Sequence, residues 1–355
     1  FSDFLRTHMA HPLSGPSRWL AWVLVLLWAD VARSQCATDG SDYSYSEVIT
    51  GSSRVITTTL CPNHPWKNIN PGQPVKAQTV YTVPANPQYD TAATSDLTSQ
   101  AGLIGVMFSG AMLYSPYAGP ATGAATSFTK SAPYGEGDTF DMCGGHSSSK
   151  TVASYHYHVP PSCLLQQLGA SATAHSPQVG WAADGFPVYG SRGPSGTLMK
   201  SCTQTGGTYG TDVCTNEFGG YLADLPGTDN FTFRYYMQGS SNDGLSCTNP
   251  LSPAPATTDS TSYPQTPTKY YGCCPSGVSC SGGFVNVCSG TAVAGTTSSY
   301  SAAASVLHAS GLSLNCAACW ASGEGGSVPT SCSANPSPSP GSSPSSSSSP
   351  SSSSS

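Results

Sequence analysis

Apolar and polar positions alternate along this chain in short bursts, and Gly, Pro or Ser interrupts the alternation every few residues. The segments Arg54–Leu60, Val75–Val83 and Asn230–Gln238 are β-branched or aromatic with turn residues at their ends, and each predicts a strand. Gly180–Tyr189 sets Asp184-Gly185 between two apolar arms, the strongest short-range hairpin signal. A helical period is confined to Ser162–Leu168 and Ala302–His308. The fold class that follows is all-β: a disulfide-braced, β-sandwich-like domain.

The pattern also repeats. Gly105-Val-Met-Phe-Ser-Gly110-Ala-Met-Leu-Tyr114 matches Gly180-Trp-Ala-Ala-Asp-Gly185-Phe-Pro-Val-Tyr189. Downstream, Asp141-Met-Cys143 matches Asp212-Val-Cys214, and each leads to an aromatic strand, Tyr155-His-Tyr-His158 or Phe233-Arg-Tyr-Tyr236. Two matches in the same order predict a duplicated hairpin–loop–strand unit folded with approximate two-fold symmetry.

Hydropathy and composition divide the chain. An apolar run from Trp19 to Trp28 follows Arg18 and precedes Ala32-Arg33-Ser34. This is the layout of a secretory signal peptide, too short to span a bilayer. Residues 1–34 are therefore expected to be leader and signal peptide, with Met9 as the sensible start and cleavage after Ser34. Residues 35–248 form the expected β domain. Residues 249–271, rich in Pro, Thr and Ser, read as an extended linker, and 272–334 as a small Cys-rich module. Residues 335–355 are Ser-Pro repeats passing into polyserine, with nothing to bury, and are expected to stay extended. These Ser-Pro runs resemble the hydroxyproline-rich glycomodules of plant and algal cell-wall proteins, which implies glycosylation at Pro336, Pro338 and Pro340. Asn230-Phe-Thr232 is an N-glycosylation sequon.

Charged residues are 8 % of the chain and the net charge is −6, with no Lys/Arg cluster to neutralise phosphates. A long helical bundle and a nucleic-acid binder are both excluded on that ground. The 14 cysteines all lie beyond the signal segment, an even count that reads as a disulfide framework in an oxidising compartment. Seven fall at or before Cys247 and seven from Cys273 onward. Either one bridge joins the groups or each leaves a free thiol.

Of the 8 histidines, His146, His156, His158 and His175 are close together in sequence. Alternate side chains of a strand share a face, so His156 and His158 project together, opposite Tyr155 and Tyr157. Two imidazoles so spaced, with His146 as a third, can converge on one ion and leave a position open for water or substrate. His175 and Asp184 are the candidates for a fourth ligand, and three imidazoles suit zinc or copper. The alternative is a buried His–Tyr–Asp hydrogen-bond network that stiffens the fold. Asp184 and Asp141 each also have a structural reading, as turn residues. No Gly-x-Ser-x-Gly elbow, phosphate loop or helical His-Glu-x-x-His is present.

Asp141-Met-Cys-Gly-Gly-His146, Tyr155-His-Tyr-His158, Pro161-Ser-Cys163 and Gly180–Gly190 together resemble the YHYH-domain family over about residues 100–248. Ser109-Gly110 stands where that family would have Asn-Gly. The resemblance implies a secreted protein and leaves its activity open.

Two functions remain. One is a secreted structural glycoprotein of a cell wall or matrix, associating with polysaccharide and with O- and N-linked glycans and self-assembling into fibres through a free strand edge. The other is a secreted metal-binding protein or metalloenzyme using His146, His156 and His158. The lack of complete catalytic machinery argues against an enzyme, and the glycomodule-like tail favours the matrix reading.

Overall fold

The computed structural model describes residues 34–66, 72–90, 92–97, 102–118, 131–136, 139–141, 143–148, 154–222, 233–238, 264–281, 284–289 and 293–294. The signal segment, Asn230, the 302–308 helix, Cys247, Cys316, Cys319, Cys332 and the Ser/Pro tail lie outside them. What is described is an all-β unit with short helices, braced by disulfides.

Three strands open the fold: β1 (Tyr45–Thr50), β2 (Ser53–Thr58) and β3 (Thr79–Pro84), paired antiparallel in that order. The strand expected over 75–83 begins only at Thr79. In β2 burial alternates residue by residue, with Arg54, Ile56 and Thr58 inward. Arg54 is tolerated there because its guanidinium lies 3.8 Å above the Trp181 ring and bonds Glu47 of β1 at 2.9 Å. Thr58 offsets its burial by donating to the Gly110 carbonyl.

The larger sheet is built from β6 (Leu103–Met107), β7 (Met112–Tyr114), β8 (Gly145–Ser147), β9 (Tyr155–Tyr157), β10 (Gln178–Ala182), β11 (Pro187–Tyr189), β12 (Gly220–Leu222) and β13 (Phe233–Tyr236). Their order across the sheet is β12-β13-β11-β10-β6-β7-β9-β8, which reads as two mirrored sets. Each set is an antiparallel hairpin (β6–β7, β10–β11) whose second strand pairs parallel with a later strand (β9, β13), itself edged by an antiparallel one (β8, β12).

The registers repeat as well. Leu103, Gly105 and Val106 face Tyr114, Leu113 and Met112, and Gln178, Gly180 and Trp181 face Tyr189, Val188 and Pro187, with a bulge at the same place in both. The halves meet where Val106 pairs with Trp181, so the pseudo-two-fold axis passes between these residues. A Cβ on Gly105 would strike the Trp181 carbonyl, and one on Gly180 the Val106 carbonyl, so both glycines are needed for the halves to approach. The hairpin forms with a three-residue loop, Ala183–Gly185, closed by the Ala182 N–H donating to the Phe186 carbonyl, and Gly185 takes φ +91° as its left-handed last residue.

The duplication corrects one sequence match. Asp141 Oδ1 accepts from the backbone N–H of Cys143 and Gly145. The same task falls to Asn216, which accepts from Phe218 and Gly220, and not to Asp212. What is repeated is a side-chain oxygen that holds the turn before β8 and β12. The cysteines are independent of it: Cys143 bridges to Cys163 and Cys214 to Cys202.

The two sheets share one core, in which Tyr45, Ile56, Tyr81 and Val83 meet Val106, Phe108, Leu113, Trp181 and Phe186. Helices α1 (Ala132–Glu136), α2 (Ser162–Gln167) and α3 (Cys202–Thr205) are connectors. Only α2 matches a helix expected from the sequence. The short strands β4 (Gln88–Tyr89) and β5 (Ser95–Asp96) pair with Gly272–Cys273 and Lys269–Tyr270 respectively. Of the Pro/Thr/Ser stretch, 249–263 lies outside the described residues, whereas Gln265, Thr266 and Tyr270 are buried. Disulfides Cys36–Cys61, Cys143–Cys163, Cys202–Cys214, Cys273–Cys288 and Cys274–Cys280 join residues within, not between, the two groups of seven. No described helix is long and apolar enough to cross a membrane.

Candidate metal centre

Strands β8 and β9 pair so that His146 lies directly across from His156. His158 follows just past β9, on the same face as His156. The three rings are 4.5–5.6 Å apart, centroid to centroid, and 2–3 % exposed. On the opposite face the two tyrosines of the motif are buried and bonded: Tyr155 donates to Asp141 Oδ2 at 2.7 Å, and the Tyr157 hydroxyl meets His64 Nε2 at 2.6 Å. The four-residue motif thus uses strand alternation to send its histidines to one side and its tyrosines to the other.

Each histidine is oriented from behind. His158 Nδ1 lies 2.6 Å from the Ser115 carbonyl and His156 Nδ1 lies 2.9 Å from the Ser154 carbonyl. A carbonyl only accepts, so both Nδ1 atoms carry the proton. His146 Nδ1 lies 2.6 Å from Thr139 Oγ1, whose own proton goes to the Glu136 carbonyl, so this Nδ1 also donates. Ring packing fixes the orientation further: Tyr114 stacks on His156 at 3.8 Å, and Phe140 touches both His146 and His158.

The consequence is electronic. Burial lowers the pKa of all three imidazoles, with mutual repulsion adding to it at His146 and His156 and the Glu136 carboxylate partly opposing it at His158. Neutral rings protonated on Nδ1 present bare Nε2 lone pairs inward. His146 Nε2 is buried and makes no hydrogen bond.

The fourth group at this point is Glu136, at the end of α1. Its Oε2 is 3.4 Å from His146 Nε2 and 3.6 Å from His158 Nε2, and the four donor atoms all lie within 4.8 Å of one another. Lone pairs facing a carboxylate at that range repel unless a cation or proton lies between them. For bonds of about 2.0–2.1 Å, a tetrahedral centre separates its ligand atoms by about 3.3–3.4 Å. The Glu136 distances fit that edge. The Glu136 side chain is 27 % exposed, the only one of the four with appreciable contact to water.

His175 and Asp184, the sequence candidates for a fourth ligand, are not in this group. His175 Nε2 bonds the Tyr236 hydroxyl at 2.8 Å, in the other half of the sheet. Asp184 is buried beneath Gly272, where Oδ2 accepts from Tyr235 Oη and the Gly272 N–H and Oδ1 from the Phe186 N–H. Burial pushes its carboxyl up to about 6. Glu136 escapes a motif search because it belongs to a Gly-Glu-Gly stretch ten residues before His146. Its one distinguishing mark is rarity, as one of four glutamates in the chain.

A domain built from two hairpin–loop–strand halves, with a Tyr-His-Tyr-His strand aiming its imidazoles at one point, defines a class as well as a site. Residues 80–240 match the family model described as YHYH protein, and this stretch is a YHYH domain. The match begins in β3 and ends just after β13, so it takes in both halves of the duplicated sheet. No curated protein and no solved structure matches the chain.

Proposed function

We propose that this chain is a secreted metal-binding protein whose YHYH domain holds one divalent ion between His146, His156, His158 and Glu136. The observation that carries this reading is the set of three buried imidazoles, each held by a hydrogen bond at Nδ1, with their Nε2 atoms converging on the Glu136 carboxylate. A hydrogen-bond network alone has no use for that arrangement, because Nε2 of His146 gains nothing from it. The backbone and threonine acceptors behind the rings are the outer contacts that metal-binding histidines need to hold their tautomer. Spacing close to a tetrahedral edge favours zinc over copper(II), which prefers a square plane.

With Glu136 as fourth ligand the centre is closed, and a closed zinc site holds its ion rather than activating water. The five disulfides among the described residues support an extracellular setting, and the Ser/Pro tail at 335–355 supports placement in a wall or matrix. Cobalt(II) substitution tests the reading. Intense visible d–d bands of a four-coordinate N/O site, weakened in Glu136→Gln and absent in His156→Ala, are expected. Weak octahedral bands unchanged by either substitution would overturn it.

A further inference from the structure

The second half of the sheet contains the counterpart of the histidine centre, and its occupant is different. The registers give the correspondence without any choice of alignment. His146 pairs with His156 across β8–β9, and Tyr221 pairs with Arg234 across β12–β13. Leu113 is beside Tyr157 in the first half, and Val188 beside Tyr235 in the second. Tyr221, Arg234 and Tyr236 therefore stand where His146, His156 and His158 stand.

The surroundings correspond too. Tyr114 stacks on His156, and its equivalent Tyr189 has the Arg234 guanidinium 5.7 Å from its ring centroid. Arg234 is fully buried, and the Tyr189 ring it faces belongs to a buried cluster with Tyr236 and Met199, with Tyr221 packed against it. Tyr236 is tethered by its hydroxyl to His175, which makes edge contacts with both Tyr189 and Tyr236. A buried positive charge is costly unless rings and hydrogen bonds surround it, so its presence at this symmetry-related point calls for a reason.

We infer that Arg234 is the resident cation of the second half: its guanidinium, carried on the chain, takes the place that a metal ion takes in the first. This rests on the metal reading of His146, His156 and His158. It also extends that reading, because a scaffold that accepts a guanidinium at one of two equivalent points does not need a metal to fold. The ion in the first half is then an addition that folding does not require, and the imidazoles serve the ion rather than the sheet.

The test exchanges the two solutions in the full secreted chain and reads metal per chain by elemental analysis alongside thermal melting. In Tyr221→His/Arg234→His/Tyr236→His, the zinc content is expected to double, from one ion per chain to two. In His146→Tyr/His156→Arg/His158→Tyr, zinc is expected to fall to none while the chain melts cooperatively, no lower than metal-stripped wild type. With one zinc in the wild type, either a folded second-half variant that still holds only one or a first-half variant that unfolds would overturn the exchange and leave the metal reading standing. Wild type without zinc would overturn the metal reading itself. Should the second-half variant fail to fold, the first-half variant decides alone: a cooperative melt upholds the inference and its loss refutes it.

Discussion

Removing Glu47 should destabilise this domain more than its distance from the histidine centre suggests. Arg54 and Glu47 are 1 % and 4 % exposed as side chains and form a 2.9 Å ion pair. Glu47 Oε2 also accepts from Tyr45 Oη at 2.9 Å and Trp181 Nε1 at 2.8 Å. Arg54 Nε and Nη2 have no hydrogen bond, so the guanidinium relies on Glu47 and on the Trp181 face beneath it. Glu47→Leu leaves a positive charge buried without a counter-charge, a loss of about 3–5 kcal/mol. For a domain of this size that lowers Tm by about 6–20 °C. In Glu47→Leu/Arg54→Met no charge is stranded, so the double variant should recover most of the loss, with a coupling energy of about 2–3 kcal/mol. Differential scanning calorimetry on the three variants supplies the cycle. Additive losses, or a Glu47→Leu melt within a degree or two of wild type, would refute the argument that Glu47 exists to neutralise Arg54.

Two buried groups make stability depend on pH with opposite signs. His64 is held near pKa 4 by burial, below its ordinary 6.5, so its contribution is complete above pH 6.5 and is lost as pH falls toward 4. Asp184 is raised from 3.8 to about 6, so its contribution is complete below pH 4 and is lost as pH rises through 6. Urea titrations of His64→Gln and Asp184→Asn should each remove one slope, of order 3 kcal/mol, and expose the other; an unchanged profile in both would contradict these assignments. Opening Cys143–Cys163 by serine substitution should cost about 3 kcal/mol, because the bridge closes a loop of about 20 residues. The same loop carries His146, so zinc affinity should fall with it, as a competitive chelator titration would reveal.

The fold class was legible because alternation and turn chemistry are local. The Asp184-Gly185 hairpin, the strand after it and the 105–114/180–189 repeat are visible within ten-residue windows, and the register repeats them faithfully. Strand β2 shows where such reading stops. Val55 and Ile56 are adjacent, so alternation alone cannot say which faces inward, and no local rule would bury Arg54. Trp181 and Glu47 decide it, and Trp181 is more than a hundred residues away. The two-residue strands at Gln88–Tyr89 and Ser95–Asp96 owe their pairing to residues 269–273, which leaves no mark in either segment. At the candidate centre, the three histidines followed from strand geometry and from their clustering. Glu136 did not, because a residue at the end of a one-turn helix is brought to the site by the chain's path, not by any periodicity.

The most direct measurement is the zinc and copper content of the full chain after secretion from a eukaryotic host, beside His156→Ala, by plasma mass spectrometry. One zinc per chain, lost in a variant that still folds, is the predicted result. A folded wild type without zinc or copper, or one whose metal survives His156→Ala, would contradict the metal centre.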